Sequence, residues 1–140
     1  MITLHIPYPP SVNHYWGISG KQRFLGKKGK EFRQAVAEAC RDLEVKTMEG
    51  NVSVFVALWP PDKRTRDIDN TIKPLLDAME HAGVYENDCQ INQLHVVRKD
   101  PIKGGACAVV ITANTLPSGI AQYLPECPAS DLETPESPDA

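Results

Sequence analysis

Residues 52–83, VSVFVALWPPDKRTRDIDNTIKPLLDAMEHAG, decide the fold of this chain. The run over 52–58 is apolar and rich in β-branched residues, which predicts a buried strand that ends before Pro60. Apolar residues then recur at helical spacing, which predicts a helix over 71–82 with Gly83 as its C-terminal cap. Because proline is tolerated only in the first turn of a helix, Pro74 requires this helix to begin near Asn70 or Thr71.

The flanking segments continue the alternation of strands and helices. Residues 2–6 alternate apolar and polar, which predicts a strand, and residues 28–46 are apolar at helical spacing. Residues 91–98 and 106–113 are two further predicted strands, and Gly104 and Gly105 favour a hairpin turn between them. The order β-α-β-α-β-β predicts an α/β or α+β domain with a mixed sheet of about four strands and helices packed on it.

The length of 140 residues allows one domain. We expect this domain to span residues 1–116, and residues 117–140 to be a disordered tail, because they hold five prolines, five acids and no lysine or arginine. We find no secretory signal and no apolar run near the length of a membrane-spanning helix, which favours a cytoplasmic protein without membrane contact. The widely spaced cysteines favour free thiols over disulfides or zinc ligation.

The charge of the chain is unevenly distributed. The net charge is −3 overall, but removing the five acids of the tail leaves 13 acids and 15 bases in residues 1–116, a net charge of +2. Basic residues cluster over 21–33 and again over 63–66, which suits a polyanion such as a nucleic acid. On charge alone, an ordinary solvated surface is the simpler interpretation.

The chemistry-bearing segment begins with Asp67 and Asp69. They are two residues apart where a loop enters a helix, and an extended backbone points such side chains to one face. A hard divalent ion such as Mg²⁺ would relieve the repulsion between the two carboxylates. Lys73, about one helical turn further on, could place an ammonium beside a bound phosphate. Helix capping explains one acid or amide at this position, but not both carboxylates.

A third carboxylate would be needed to hold an ion firmly. Asp88 lies in the loop before the strand at 91–98, and it returns near Asp67 and Asp69 if that strand pairs with the strand at 52–58. An Asx turn is the alternative role for Asp88, and Glu86 is a possible substitute ligand.

Three stretches together resemble the RusA family of Holliday junction resolvases, which are small endonucleases of bacteria and their phages. The first is Pro9-Pro10-Ser11-Val12-Asn13-His14-Tyr15-Trp16, the second is the segment from Asp67 to Ala78, and the third is Asn87-Asp88-Cys89-Gln90-Ile91 with Arg98-Lys99 at the end of the following strand. The match runs from about residue 2 to residue 113, in the same order and spacing as the family. Asn87 departs from it, since members may carry an acid there.

The resemblance implies a function and a set of residues. Asp67, Asp69 and Asp88 correspond to the essential carboxylates of the family and Lys73 to its essential lysine. The family acts as a homodimer with Mg²⁺ or Mn²⁺ and cuts four-way DNA junctions in two strands of like polarity. DNA would then be held by the basic residues Lys21, Arg23, Lys27, Lys28, Lys30, Lys63, Arg64 and Arg66.

Two other functions fit parts of the sequence. Asp67-Ile68-Asp69-Asn70-Thr71 resembles the nucleophile motif of haloacid-dehalogenase-type phosphatases, but that motif should follow an apolar strand directly. A non-catalytic DNA-binding module is the second alternative, in which the acidic residues would serve only as caps and turns.

Overall fold

The computed structural model describes residues 1–113, so the predicted tail at 117–140 lies outside the described residues. The strands are Ile2–Ile6 (β1), Trp16–Ser19 (β2), Gln22–Leu25 (β3), Val52–Trp59 (β4), Ile91–Arg98 (β5) and Ala106–Ala113 (β6). The α-helices are Val12–Tyr15 (α1), Lys27–Asp42 (α2) and Ile72–His81 (α3), and 3-10 helices cover Ile68–Thr71 and Asp88–Gln90.

Four of the strands form one mixed sheet in the order β1-β6-β4-β5. β6 is antiparallel to both β1 and β4, whereas β4 and β5 are parallel and are joined through α3. Parallel neighbours need such a crossover, and α3 supplies it. The predicted α+β class with a mixed four-stranded sheet is confirmed.

The prediction of a hairpin turn at Gly104 and Gly105 is wrong, because β4 lies between β5 and β6 in the sheet. Both glycines do adopt positive φ, but the turn they make carries the chain past the end of β4. A Cβ on Gly105 would lie 3.2 Å from the backbone oxygen of Trp59, so the close approach to β4 requires a glycine.

The core lies between one face of the sheet and the two long helices. β4 contributes Val54, Val56 and Leu58, all buried, in the alternation expected of a strand with one covered face. The helices contribute the buried side chains Phe32, Val36, Cys40, Ile72, Leu75, Ala78 and Met79. α2 packs against α3, α1 and β1, which fixes the start of α3 relative to the N-terminal segment.

The boundaries of the helices differ from the predicted ones in informative ways. α2 ends at Asp42 instead of residue 46, since Glu44 has a φ of 51° that an α-helix cannot accommodate. α3 begins at Ile72, next to the predicted start at Asn70 or Thr71, and Pro74 lies in its first turn as predicted. Gly83 follows the helix with a φ of 85°. Among the described residues, none of the helices has the length and apolar character needed to cross a membrane.

The hairpin of β2 and β3 was not predicted. Its strands are short, its turn holds Gly20 at a φ of 63°, and Gly17 packs so closely that a Cβ there would lie 2.4 Å from the Phe24 ring. Glycines and exposed polar residues dilute the alternation on which strand prediction depends.

Candidate active site

The loop between β4 and the first 3-10 helix is organised by Asp62. The Arg66 guanidinium lies 2.8 Å from one Asp62 carboxylate oxygen and donates to the backbone oxygens of Asp62 and Arg64. Asp62 also accepts a 2.9 Å hydrogen bond from the backbone N–H of Arg64. The hydrogen bond from Arg66, reinforced by that from Arg64, lowers the pKa of Asp62. Arg98 at the end of β5 donates 2.6 Å to the backbone oxygen of Arg66, which ties this loop to the sheet.

Asp67 and Asp69 lie directly after this loop. Asp67 is the N-cap residue of the 3-10 helix Ile68–Thr71, but its carboxylate makes no capping hydrogen bond. Both side chains are exposed, and within residues 1–113 neither has a hydrogen bond or an ion pair. The alternative role of capping, expected for Asp69 or Asn70, is not what the structure shows, because the N-cap residue of α3 is Thr71.

Lys73 of α3 and Asp88 of the second 3-10 helix are brought together in the structure. The Lys73 ammonium donates to an Asp88 carboxylate oxygen at 2.7 Å, although the residues belong to different elements. The hydrogen bond with Asp88 raises the pKa of Lys73 and outweighs the opposing effect of partial burial. The parallel pairing of β4 and β5, the condition on which the return of Asp88 depended, is confirmed.

Three further residues hold the Asp88 loop in place, and sequence reasoning missed two of them. Glu80 of α3 accepts the backbone N–H of Asp88 at 2.7 Å. Gln90 accepts the N–H groups of Glu86 and Asn87 and donates to the backbone oxygens of Met48 and Gly50. Asn87 forms the Asx-type cap that was considered for Asp88. Helical spacing could have found Glu80, since it lies seven residues after Lys73 on the same helix face.

The fit of these residues to a metal ion is partial. Among residues 1–113, no three His, Cys, Asp or Glu side chains lie close enough together to hold an ion. Asp67 and Asp69 offer hard carboxylate oxygens without competing partners, which suits a divalent cation. Asp88 is paired with Lys73 through one of its two carboxylate oxygens. Joint ligation by Asp67, Asp69 and Asp88, and the alternative ligand Glu86, stay predictions.

The predicted DNA-binding cations lie on three elements. Lys21 and Arg23 belong to the β2–β3 hairpin, where the Arg23 guanidinium lies 4.4 Å from the centre of the Trp16 ring. The first turn of α2 exposes Lys27, Lys28 and Lys30. The loop after β4 carries Lys63, Arg64 and Arg66, of which Arg64 is 83% exposed and Arg66 only 22%. The Arg66 guanidinium therefore makes its hydrogen bonds within this loop, to Asp62 and to the backbone oxygen of Arg64.

Unpaired carboxylates beside lysine and arginine side chains are the components of an enzyme that acts on phosphate esters. The loop of residues 60–66 separates β4 from Asp67. The motif of haloacid-dehalogenase-type phosphatases directly follows a strand, so this arrangement does not fit that alternative. The fold and site thus fit the class of small hydrolases that act on phosphate esters, in which nucleases belong.

Comparisons with known proteins support the assignment of this chain as a nuclease. Residues 7–112 match the family model of endodeoxyribonuclease RusA. The crossover junction endodeoxyribonuclease of enterobacteria phage HK97 is 37% identical over 108 residues, which are 76% of this chain and 90% of the phage protein. The corresponding protein of enterobacteria phage 82 is 31% identical over 115 residues (80% and 96%). That of Escherichia coli strain K12 is 29% identical over 111 residues (79% and 92%).

This chain belongs to the RusA family of endodeoxyribonucleases. Its relatives come from bacteria and from their phages, and they carry the name of crossover junction endodeoxyribonucleases. Family membership implies a nuclease that depends on a divalent metal and acts on branched DNA.

Proposed function

We propose that this protein is a Mg²⁺-dependent, structure-selective endonuclease that resolves four-way DNA junctions during recombination and repair. The observation that carries the proposal is the pair of exposed, unpartnered carboxylates of Asp67 and Asp69, one helical turn before the Lys73–Asp88 ion pair, in a chain of the RusA family.

Asp67, Asp69 and Asp88 would hold the Mg²⁺, for which Mn²⁺ can substitute. When bound, such an ion polarises the scissile phosphate and lowers the pKa of a water that attacks in line. Asp88 would contribute the carboxylate oxygen that is not bonded to Lys73. The Lys73 ammonium, which is protonated at neutral pH as any exposed lysine is, would donate to the phosphate oxygens as negative charge develops on them.

The basic residues of the hairpin, the first turn of α2 and the loop after β4 would hold the DNA backbone. Such contacts are made to phosphates and carry little sequence information, so the choice of a junction rests on shape. A four-way junction has approximate two-fold symmetry, and paired cuts need two sites related by a dyad, which a homodimer supplies. The bacterial and phage relatives support a role in the cytoplasm of a bacterial cell, for a host-encoded or phage-encoded protein.

The test compares a synthetic four-way junction with a linear duplex of matched sequence, each incubated with the purified protein in Mg²⁺ or in EDTA. We expect paired nicks in the junction only, and only with Mg²⁺. Asp67→Asn should lower the cleavage rate at least about 100-fold and leave junction affinity within about twofold, because the change removes a ligand charge but no DNA contact.

Asp100→Asn is the matched control, since Asp100 is an exposed carboxylate without an ion pair in the described chain, and it should cut at the wild-type rate. A non-catalytic DNA-binding module would bind junctions without any metal-dependent nick. A phosphatase would hydrolyse a small phosphomonoester and leave the junction intact. Either result would contradict the proposal.

A further inference from the structure

The hairpin of β2 and β3 carries exposed apolar side chains on both of its faces. Ile18 is 78% exposed, which only Met1 exceeds among the large apolar residues of the described chain, and Phe24 is 47% exposed. Gly17 pairs with Phe24, so these two share a face, and Ile18 lies on the other face because successive residues of a strand alternate. The hairpin is therefore a thin ribbon with an apolar group on each side, and the fold leaves both groups in contact with solvent.

The contacts that hold the hairpin in place do not involve Ile18. The buried Tyr15 ring meets the Trp16 ring edge-on, with the ring centres 5.1 Å apart, and the Arg23 guanidinium lies over the Trp16 ring. The backbone N–H of Gly26 donates to the backbone oxygen of Tyr15 at 2.9 Å and closes the base of the hairpin. A change of the Ile18 side chain should therefore leave the hairpin folded.

The charge around the hairpin indicates the chemistry of its partner. Residues 11–30 hold five lysine or arginine residues and no acid. Arg23 is the cross-strand neighbour of Ile18, and Lys21 follows the turn at Gly20. A partner must therefore be a polyanion that also offers an apolar surface. DNA combines both, in its phosphates and in the faces of its base pairs.

The hairpin projects from the wall of the candidate site. His14, just before its first strand, and Lys28, just after its second strand, line the same open pocket as Asp67. Each strand of the hairpin has four residues. Such a strand spans about 10 Å, which is about three base-pair steps of a duplex. The tip therefore lies within a few base pairs of the proposed site of hydrolysis.

We propose that this hairpin inserts at the branch point of the junction, where Ile18 packs against the open face of the last base pair of an arm, and that this contact distinguishes a junction from a linear duplex. The inference rests on the proposed function, because it assigns the choice of substrate to residues of the same enzyme. Inside a duplex every base pair is stacked on both faces, so an apolar wedge must first separate a base step. At a branch point the strands already diverge, and the insertion costs less. Phe24, on the opposite face of the ribbon, is placed to contact the neighbouring arm.

The first test measures affinity for a labelled four-way junction and for a linear duplex of matched sequence by fluorescence anisotropy in EDTA, so that cleavage plays no part. We expect Ile18→Ser to weaken junction binding at least about fivefold and duplex binding less than about twofold, because only the junction offers an open base-pair face. Lys21→Gln should weaken both to a similar degree, because it removes a phosphate contact that either DNA offers. An unchanged ratio of the two affinities with Ile18→Ser would overturn the inference.

Three further variants separate recognition from folding. Ile18→Thr keeps the β-branched shape that favours a strand but adds a hydroxyl, and it should weaken junction binding as Ile18→Ser does. Ile18→Leu keeps the apolar group and should bind the junction within about twofold of the wild-type value. Leu43→Ser is the matched control, since Leu43 is a 56% exposed apolar residue at the end of α2, and it should keep both affinities. If Ile18→Leu loses as much junction binding as Ile18→Ser, the side chain does not act through an apolar contact and the inference fails.

A protein surface is the competing partner for Ile18, and a second copy of this chain is the nearest example. Light scattering in the absence of DNA measures the mass of the wild-type protein and of Ile18→Ser in solution. We expect the two masses to be equal. A lower mass for Ile18→Ser would place Ile18 in a contact between subunits and would overturn the inference.

The second test reports on the DNA itself. The fluorescent base 2-aminopurine is placed either in the base pair that flanks the branch point or in the middle of an arm, and the junction is saturated with the full-length protein in EDTA. We expect emission at the branch point to rise several-fold, because the base loses a stacked neighbour, and at least half of that rise to be lost with Ile18→Ser. Emission from the middle of the arm should not change. Equal emission at the branch point with both proteins would mean that the hairpin does not insert.

The two proposals can fail separately. If the wild-type protein makes no nick in Mg²⁺ but Ile18→Ser still loses junction binding in EDTA, the proposed nuclease function fails and the role of the hairpin stands. If the wild-type protein cuts junctions and Ile18→Ser binds and cuts them equally well, the proposed function stands and the hairpin has no part in the choice of substrate.

Discussion

Asp77 is the residue at which three helices are joined. Its carboxylate accepts hydrogen bonds from the Tyr15 hydroxyl of α1 and from the Arg33 guanidinium of α2, the latter at 2.7 Å. Arg33 also donates to the Tyr15 hydroxyl at 2.7 Å. Burial raises the pKa of Tyr15, and Asp77 raises it further, so this phenol remains a donor. The cluster fixes α1 and α2 against α3, which carries Lys73.

We expect Asp77→Ala to lower the free energy of unfolding by about 2 kcal/mol at pH 7, because it leaves two partly buried donors without an acceptor. Burial alone would raise the pKa of Asp77, but the hydrogen bonds from Tyr15 and Arg33 outweigh it and place the pKa below its ordinary value. The stabilisation from ionised Asp77 is therefore present above the unfolded pKa of about 4 and is lost as the pH falls through the folded value.

Urea unfolding at pH 7 and near pH 3 measures this effect. The difference in free energy of unfolding between the wild-type protein and Asp77→Ala should be large at pH 7 and smaller near pH 3. Asp100→Ala removes an exposed carboxylate without a partner in the described chain and should change stability by less than about 0.5 kcal/mol at either pH. An equal loss at both pH values would mean that Asp77 acts through packing and not through its charge.

At the scale of elements, the approach of α2 to α1 depends on Gly29. A Cβ on this residue would lie 2.4 Å from the backbone oxygen of Tyr15 and 2.9 Å from a methyl carbon of Leu25. Alanine is favoured over glycine in helices by up to about 1 kcal/mol. The contact with a backbone oxygen cannot be relieved by rotating a side chain, so the steric cost should exceed that gain.

We therefore expect Gly29→Ala to destabilise the protein by about 1–3 kcal/mol, the range typical of overpacked sites. Thermal unfolding followed by circular dichroism measures the shift. Gln34→Ala, on the exposed side of the same helix, should stay within about 0.5 kcal/mol of the wild-type value. A Gly29→Ala variant more stable than the wild type would show that α1 moves aside without cost.

The elements that the sequence predicted well are those with a strong periodic pattern. The strands at 2–6, 91–98 and 106–113 and the helix that begins before Pro74 agree with the structure. The placement of β4 between β5 and β6 was mispredicted, because a glycine pair reports a local turn and carries no information about which strands pair. The β2–β3 hairpin was missed for lack of alternation.

The sequence predicted which residues form the candidate site, but it did not predict that Lys73 and Asp88 form an ion pair. The spacing of Asp67 and Asp69 indicated two carboxylates that face solvent, and both are exposed. The ion pair joins Lys73 of α3 to Asp88 of the 3-10 helix Asp88–Gln90, and it depends on the packing of these two elements, which the sequence does not show. The unpartnered hydroxyl of Thr71 leaves no trace in the sequence, since burial and hydrogen bonding are properties of the folded chain.

At the scale of the whole molecule, residues 1–116 carry a net positive charge and residues 117–140 a net negative charge. Residues 1–116 have a net charge of +2, whereas the full chain has −3 because residues 117–140 hold five acids and no lysine or arginine. An acidic segment tethered to a basic surface competes with DNA phosphates for the same cations. We therefore expect the acidic segment to weaken DNA binding at low ionic strength.

Neutralising the five acids within the full-length chain tests this expectation. The variant combines Glu126→Gln, Asp131→Asn, Glu133→Gln, Glu136→Gln and Asp139→Asn, and fluorescence anisotropy measures its affinity for a four-way junction. At about 50 mM salt the affinity should rise several-fold above the wild-type value. Above about 300 mM the two proteins should bind alike, because the attraction between the acidic segment and the basic surface is then screened. Equal affinities at every salt concentration would show that the five acids do not compete with DNA. A gain that persisted undiminished at high salt would mean that they act through contacts other than charge.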